Sequence, residues 1–189
     1  MKDLILVGIQ GSGKGTQAKI LAVEQGYAIF ETGAALRAIA ASGSDLGEKV
    51  KEIMNRGDLV SNEVVMEIVA DFIENNTTDG PIIFDGIPRS EEQRVSLEAL
   101  LEEKKRDFQV LAIELSEQVA FERMFARAEI EGRADDNEAA MKKRVANFHE
   151  FTAPLLQVWK EGGRLVQVCG EHSIEEVTSR IAQALNLNA

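Results

Sequence analysis

Gly8-Ile9-Gln10-Gly11-Ser12-Gly13-Lys14-Gly15-Thr16-Gln17 lies between an apolar run, Leu4 to Val7, and the stretch Ala18-Lys19-Ile20-Leu21-Ala22. The run is short and continuous, as a strand buried on both faces requires, and the apolar spacing after it is that of a helix. Strand, glycine-rich turn and helix start, in that order, make a cradle for phosphate. Glycines let successive backbone N–H groups curl around an anion, the helix N-terminus adds a partial positive charge, and Lys14 adds a full one. The guest that fits is a nucleoside triphosphate; the bland alternative is a glycine-rich βα turn with no ligand. Gly15 follows Lys14 where a Ser or Thr usually touches Mg²⁺, and Thr16 comes one place later, so the metal is expected to be held through water.

Outward from the cradle the pattern repeats. Tyr27 to Phe30, Ile82 to Phe84, Phe108 to Leu115 and Arg164 to Val168 read as four further strands, each followed by helical spacing. Two helical stretches, one ending at Ala41 and one from Asp45 to Arg56, precede a long helix that Ser61 can cap. They are more chain than a crossover needs, and they predict a small inserted lobe at 32–60. Ser90 opens a helix with Gln93 at capping-box spacing, and Ser116 caps another through Arg127. A short polar segment, 128–136, precedes a long helix from Asn137 to about Lys160, and Ser173 to Leu187 forms the last one. Alternating strand and helix predict an α/β fold with an open, parallel, five-stranded sheet covered on both faces. Its core is expected at 1–31, 61–127 and 137–189.

The length of 189 residues suits one domain. A formal charge of −11 argues against a nucleic-acid or membrane-surface binder, since a phosphate polymer would be repelled over most of the surface. Phosphate must then be met by a local basic cluster. The single cysteine, Cys169, excludes an internal disulfide and suits a reducing compartment; its place in the apolar run Leu165 to Cys169 predicts a buried strand residue. With no apolar run near 18 residues and no signal peptide, a soluble cytoplasmic protein is expected.

Ligands of open parallel sheets bind beyond the carboxyl ends of the strands. The cradle, Thr32 to Arg37, Asp85 to Arg89 and the segment around Gly170 all fall there. Asp85, directly after an apolar strand, stands where an acid orients Mg²⁺ in P-loop enzymes; the alternative is a turn or helix cap. Arg37, Arg89, Arg123, Arg127, Arg133 and Arg144 lie in or beside these segments. Any one of them could be a surface salt bridge. Six around one cradle suit several phosphates, because the guanidinium fork matches phosphate oxygens in pairs, and they imply a second phosphorylated substrate.

Gly11 to Gln17, Thr32-Gly33 with Leu36-Arg37, Gly57 with Leu59-Val60, Phe84 to Arg89 with Gln93, Arg123 with Arg127, Arg133 to Asp136, and Lys143-Arg144 resemble, in this order and spacing, the adenylate kinase family of nucleoside monophosphate kinases. The resemblance covers nearly the whole chain. It implies reversible transfer of the terminal phosphoryl group of ATP to AMP, giving two ADP, with Mg²⁺ as cofactor and a monomer as the expected state. It also implies a monophosphate lobe at 32–60 and a short lid at 128–136 which, lacking cysteines, needs no structural zinc.

Carried over residue by residue, Lys14 and the backbone of Gly11, Ser12, Gly13, Gly15 and Thr16 would hold the ATP phosphates. Arg123 and Arg127 would bind the triphosphate, and Gly170 to His172 would line its adenine. Arg37, Arg89 and Arg144 would grip the AMP phosphate, with Thr32, Asp58, Leu59, Val60, Gly86, Ile87 and Pro88 around the acceptor. Arg133 would close with the lid, Asp135 and Asp136 would pair with arginines there, and Asp85 would position Mg²⁺ through water. Lys14, Arg89, Arg123, Arg133 and Arg144 form the implied catalytic set. Gln93 can donate and accept at once, matching N1 and N6 of adenine, or it can serve only as a cap partner. His172 otherwise reads as a loop histidine and His149 as a helix-surface one. Three positions depart from the family pattern: Gln10 for the usual Pro, Ala34 for Asp and Ile87 for Phe. A kinase for UMP or CMP, and a P-loop NTPase or nucleotide-responsive module, are the alternatives.

Overall fold

The computed structural model describes residues 1–76, 80–131 and 137–187. Five parallel strands lie in the order β2-β3-β1-β4-β5: β1 Asp3–Val7, β2 Ala28–Glu31, β3 Ile82–Asp85, β4 Phe108–Glu114 and β5 Leu165–Cys169. From β1 the chain goes out to the edge strand β2 and returns to β3 beside β1, then crosses to β4 and β5 on the other side. That reversal at β1 opens the crevice in which such sheets bind ligands.

Alternation along β1 divides the core in two. Ile5 and Val7 point with Phe30, Phe84 and Val110 to one face, where Leu97, Leu101, Leu155 and Trp159 cover them. Leu4 and Leu6 point with Ile83, Leu111 and Ile113 to the other, under Leu21, Val177 and Ile181. The sheet is therefore the α/β layer expected, with helices on both faces. Asp3 is buried at the start of β1 and is fully used: its carboxylate accepts from the Ile82 N–H at 2.8 Å and from Arg106 Nε and Nη2 at 2.6 and 2.7 Å.

Between β2 and β3 run α2 Thr32–Ala40, α3 Asp45–Asn55 and α4 Asn62–Asn75. Ser44 caps α3 by accepting from the Gly47 N–H at 3.0 Å. Ser61 precedes α4, but its side chain makes no capping hydrogen bond, contrary to expectation; it is exposed. After β3 comes α5 Glu91–Glu103. Its N-terminus is a variant of the expected box: Ser90 Oγ accepts from the Gln93 N–H, and Gln93 Oε1 reaches back to the Arg89 N–H at 2.8 Å.

α6 Glu117–Glu131 follows β4 and continues beyond the expected end at Arg127. The long helix expected from Asn137 is helical throughout but not uniform. α7 Glu138–Asn147 leads through a π turn, Phe148–Thr152, into α8 Ala153–Glu161. Pro154 lies at the start of α8; it has no N–H to donate and so cannot continue the α-helical ladder. α9 Ile174–Ala184 is capped by Ser173, which accepts from Glu176 N–H at 3.2 Å.

Cys169 corrects the sequence reading: it is exposed, not buried. β5 is an edge strand whose residues alternate toward a partly covered face, and the apolar run marks the strand without marking its cover.

Candidate active site

The cradle is shaped by glycine. Gly11 and Gly13 have φ of +86° and +93°, in the left-handed region, and a Cβ on Gly11 would lie 2.8 Å from the Ala120 carbonyl. α1, Lys14–Gln25, starts at once, and its first intrahelical donor is the Gln17 N–H to Gly13 O at 3.0 Å. The N–H groups before it have no intrahelical acceptor, and residues 11–16 line the cavity. Lys14 Nζ donates to the carbonyls of Gly8 at 2.7 Å and Ile9 at 3.1 Å. Burial pulls this ammonium down to about 8 against the pull of Asp85, and Arg89 and Arg127 push it the same way as burial. A buried ammonium surrounded by carbonyls and other cations is complementary to phosphate.

One cavity of about 630 Å³ opens over the strand ends. From the cradle it is lined by Gly11, Ser12, Gly13, Lys14, Gly15 and Thr16, and behind them by Arg123, Arg127, Gly170 and His172. From the other side it is lined by Thr32, Arg37, Asp58, Leu59 and Val60, and then by Asp85, Gly86, Pro88, Arg89, Gln93 and Arg144. Segments far apart in sequence meet because β1, β2, β3 and β5 all end at this edge. Ile87 differs: it is 1% exposed and packs in the core, so only its neighbours face the cavity. Arg133, Asp135 and Asp136 lie outside the described residues.

Asp85 ends β3, in register with Glu31 of β2 and Leu6 of β1. Burial raises its pKa, Lys14 lowers it, Glu31 raises it and Arg89 lowers it. Thr32 is 3% exposed and lines the cavity, and its Oγ1 has no hydrogen-bond partner. Ala34 is exposed and is not among the cavity-lining residues.

The arginines are held in place from different elements. Arg37 pairs with Glu31 at 3.3 Å, Arg89 Nε donates to Gly86 O at 2.9 Å, and Arg123 Nη2 donates to Gly170 O at 3.0 Å. The Gln10 amide, turned so that its oxygen faces the donors, accepts from Arg127 Nη2 at 2.8 Å and Arg144 Nη1 at 2.9 Å. Asp58 is held below the usual carboxylate range by hydrogen bonds from Lys143 and Arg56. Along with Asn147 Nδ2 to Gly57 O at 3.0 Å, this ties α7 to the segment after α3.

Glu31, Asn147 and Thr152 also line the cavity and had no signal in the sequence. Glu31 follows the strand read at 27–30, and it is in fact the last residue of β2. Thr152 depends on a helical phase that the π turn resets, and Asn147 on where α7 meets the segment after α3. Gln10 was visible only as a departure from a pattern.

Fold and cavity define a P-loop α/β protein with Lys14, Arg37, Arg89, Arg123, Arg127 and Arg144 gathered around one crevice. The family model described as "Adenylate kinase" matches residues 6–164. A protein of Hyphomonas neptunium named adenylate kinase is 41% identical over 189 residues, covering 99% of this chain and 100% of its own. Adenylate kinases of Caulobacter sp. strain K31 and Thermus thermophilus are each 39% identical, with coverage of 99% and 97% of this chain and 100% and 97% of theirs. The chain belongs to the adenylate kinase family, and it is a phosphotransferase of the nucleoside monophosphate kinase class.

Proposed function

We propose that the chain catalyses the reversible, Mg²⁺-dependent transfer of the terminal phosphoryl group of ATP to AMP, giving two ADP. One observation carries this: the phosphate cradle with Lys14 and the acceptor-side arginines, Arg37 and Arg89, line the same cavity. An NTPase acting alone has no use for the second half.

The AMP phosphate has a second pKa near 6 and is largely dianionic at neutral pH, so it attacks without a general base. The protein must align it and stabilise spreading charge. Arg37 and Arg89 would hold the acceptor phosphate. Arg144 would join them there, Lys14 and the 11–16 N–H groups would hold the donor phosphates, Arg123 and Arg127 would bind the triphosphate, and Arg133 would close on the transferred group. Gln93 has its oxygen engaged by the Arg89 N–H, which leaves its NH₂ to donate to adenine N1. Thr32 Oγ1, buried without a partner, suits the same base.

Among the described residues no cluster of three or more His, Cys, Asp or Glu could hold a metal ion. The buried Asp85 carboxylate beside the cradle fits Mg²⁺ all the same, because that ion keeps most of its waters and leans on substrate phosphates. Asp85 would hold it through water, and the charge it brings would neutralise the donor phosphates. Cytoplasmic location is supported by the single cysteine, which suits a reducing compartment. No described helix is long and apolar enough to cross a membrane.

The test is ADP formation from Mg²⁺-ATP offered AMP, GMP, UMP or CMP. AMP alone should support rapid turnover with two ADP per event. Preference for UMP or CMP would move the chain to another acceptor class, and phosphate release without any acceptor would make it an NTPase.

A further inference from the structure

Gln10 occupies the third position of the cradle and lines the cavity, and with its amide turned toward the donors its oxygen is shared by guanidiniums from two helices, Arg127 of α6 and Arg144 of α7. Two like charges on a single neutral oxygen is an arrangement with a directional preference: both forks must point at the same place above the loop. It is also the way two guanidiniums would grip one phosphoryl oxygen. Proline, the usual residue here in the family that this chain resembles, has no side-chain acceptor.

We propose that Gln10 is a positioning residue for phosphoryl transfer. Its amide oxygen holds Arg127 and Arg144 over the cradle at the locus of the transferred group and yields both to the phosphates when the nucleotides bind. The neutral charge of the amide is part of the device. A neutral acceptor orients the cations and is outcompeted by a phosphate, whereas a carboxylate in its place would retain them.

This inference rests on the kinase reading, and the experiment separates the two. ADP formation from ATP and AMP is measured for the wild type, Gln10→Leu, Gln10→Glu, Arg144→Lys and the Gln10→Leu/Arg144→Lys pair, with melting temperatures alongside. Wild-type turnover tests the kinase reading itself. If Gln10 acts through Arg144, Gln10→Leu lowers kcat about ten- to a hundred-fold while KM for either nucleotide changes less than about three-fold. In the Arg144→Lys background the same change then costs much less, because coupled residues are not additive. Gln10→Glu, which keeps the shape and adds charge, raises both KM values. Wild-type kcat in Gln10→Leu, or losses that multiply in the pair, would overturn the proposal while leaving the kinase reading intact. So would a kcat loss matched by a collapse in melting temperature, provided Gln10→Glu keeps wild-type KM values.

Discussion

The Thr152 hydroxyl donates to the Arg89 carbonyl at 2.9 Å, joining the end of the π turn to the arginine that follows β3. One extra residue in a helical repeat turns the following side chains by about 100°. The π turn therefore sets which side chain meets Arg89, and Thr152 is 7% exposed there. Thr152→Val keeps the shape and removes that hydrogen bond. The expected cost is about 1 kcal/mol, seen as a roughly five-fold rise in KM for AMP with KM for ATP unchanged. Steady-state kinetics with each nucleotide varied separately measures it; equal changes for both would mean a general loosening.

Lys14 makes nucleotide binding pH-dependent. Its folded-state pKa of about 8 is below the ordinary 10.5, so holding the ammonium charged in the ligand-free fold costs about 3 kcal/mol below pH 8. Between about 8 and 10.5 the unfolded chain binds a proton that the native one lacks, so this group makes stability rise with pH across that window. Phosphates favour the charged form, so ATP affinity should be flat below pH 7 and fall through pH 8, by at most about ten-fold per pH unit. Calorimetric titration from pH 6.5 to 9.5 follows it, with proton uptake on binding above pH 8. An affinity that climbs with pH would contradict the assignment.

Asp85→Asn should raise the Mg²⁺ concentration for half-maximal turnover by about ten-fold or more, the usual scale for an outer-sphere partner. Titration of Mg²⁺ binding to the ATP complex, followed by a Mn²⁺ relaxation signal, reads the metal directly. Unchanged affinity would make Asp85 only a partner of Lys14.

The Asp3 carboxylate is 3% exposed at the side chain and carries Arg106. Asp3→Ala leaves the guanidinium without its partner and the Ile82 N–H without an acceptor. The expected loss is about 3–5 kcal/mol, with Tm falling roughly 2–4 °C for each. Chemical denaturation at constant m measures it, and a loss under 1 kcal/mol would show that water replaces the carboxylate freely.

The strands were legible because a parallel sheet buried on both faces needs short, continuous apolar runs, and Leu4–Val7 and Ile82–Phe84 are such runs. The cradle was legible because glycine spacing encodes backbone shape directly. Composition along a strand says nothing of what covers it, which is why Cys169 was misjudged: it is on an edge. Pro154 was in plain view, but one proline fits a helix start as well as a helix break, and only packing decides. Ile87 turns inward although its neighbours line the cavity, because the β3–α5 turn alternates its faces. The contacts of Gln10 depend on α6 and α7 meeting above the loop, which no local pattern expresses.

The most direct test of one cavity for two nucleotides is calorimetric titration with an analogue in which ATP and AMP are joined through their phosphates. Binding of one analogue per chain, displaced by ATP and by AMP alike and weakened by Lys14→Ala and by Arg89→Ala, is the expected result. An analogue displaced by ATP alone and indifferent to Arg89→Ala would contradict it.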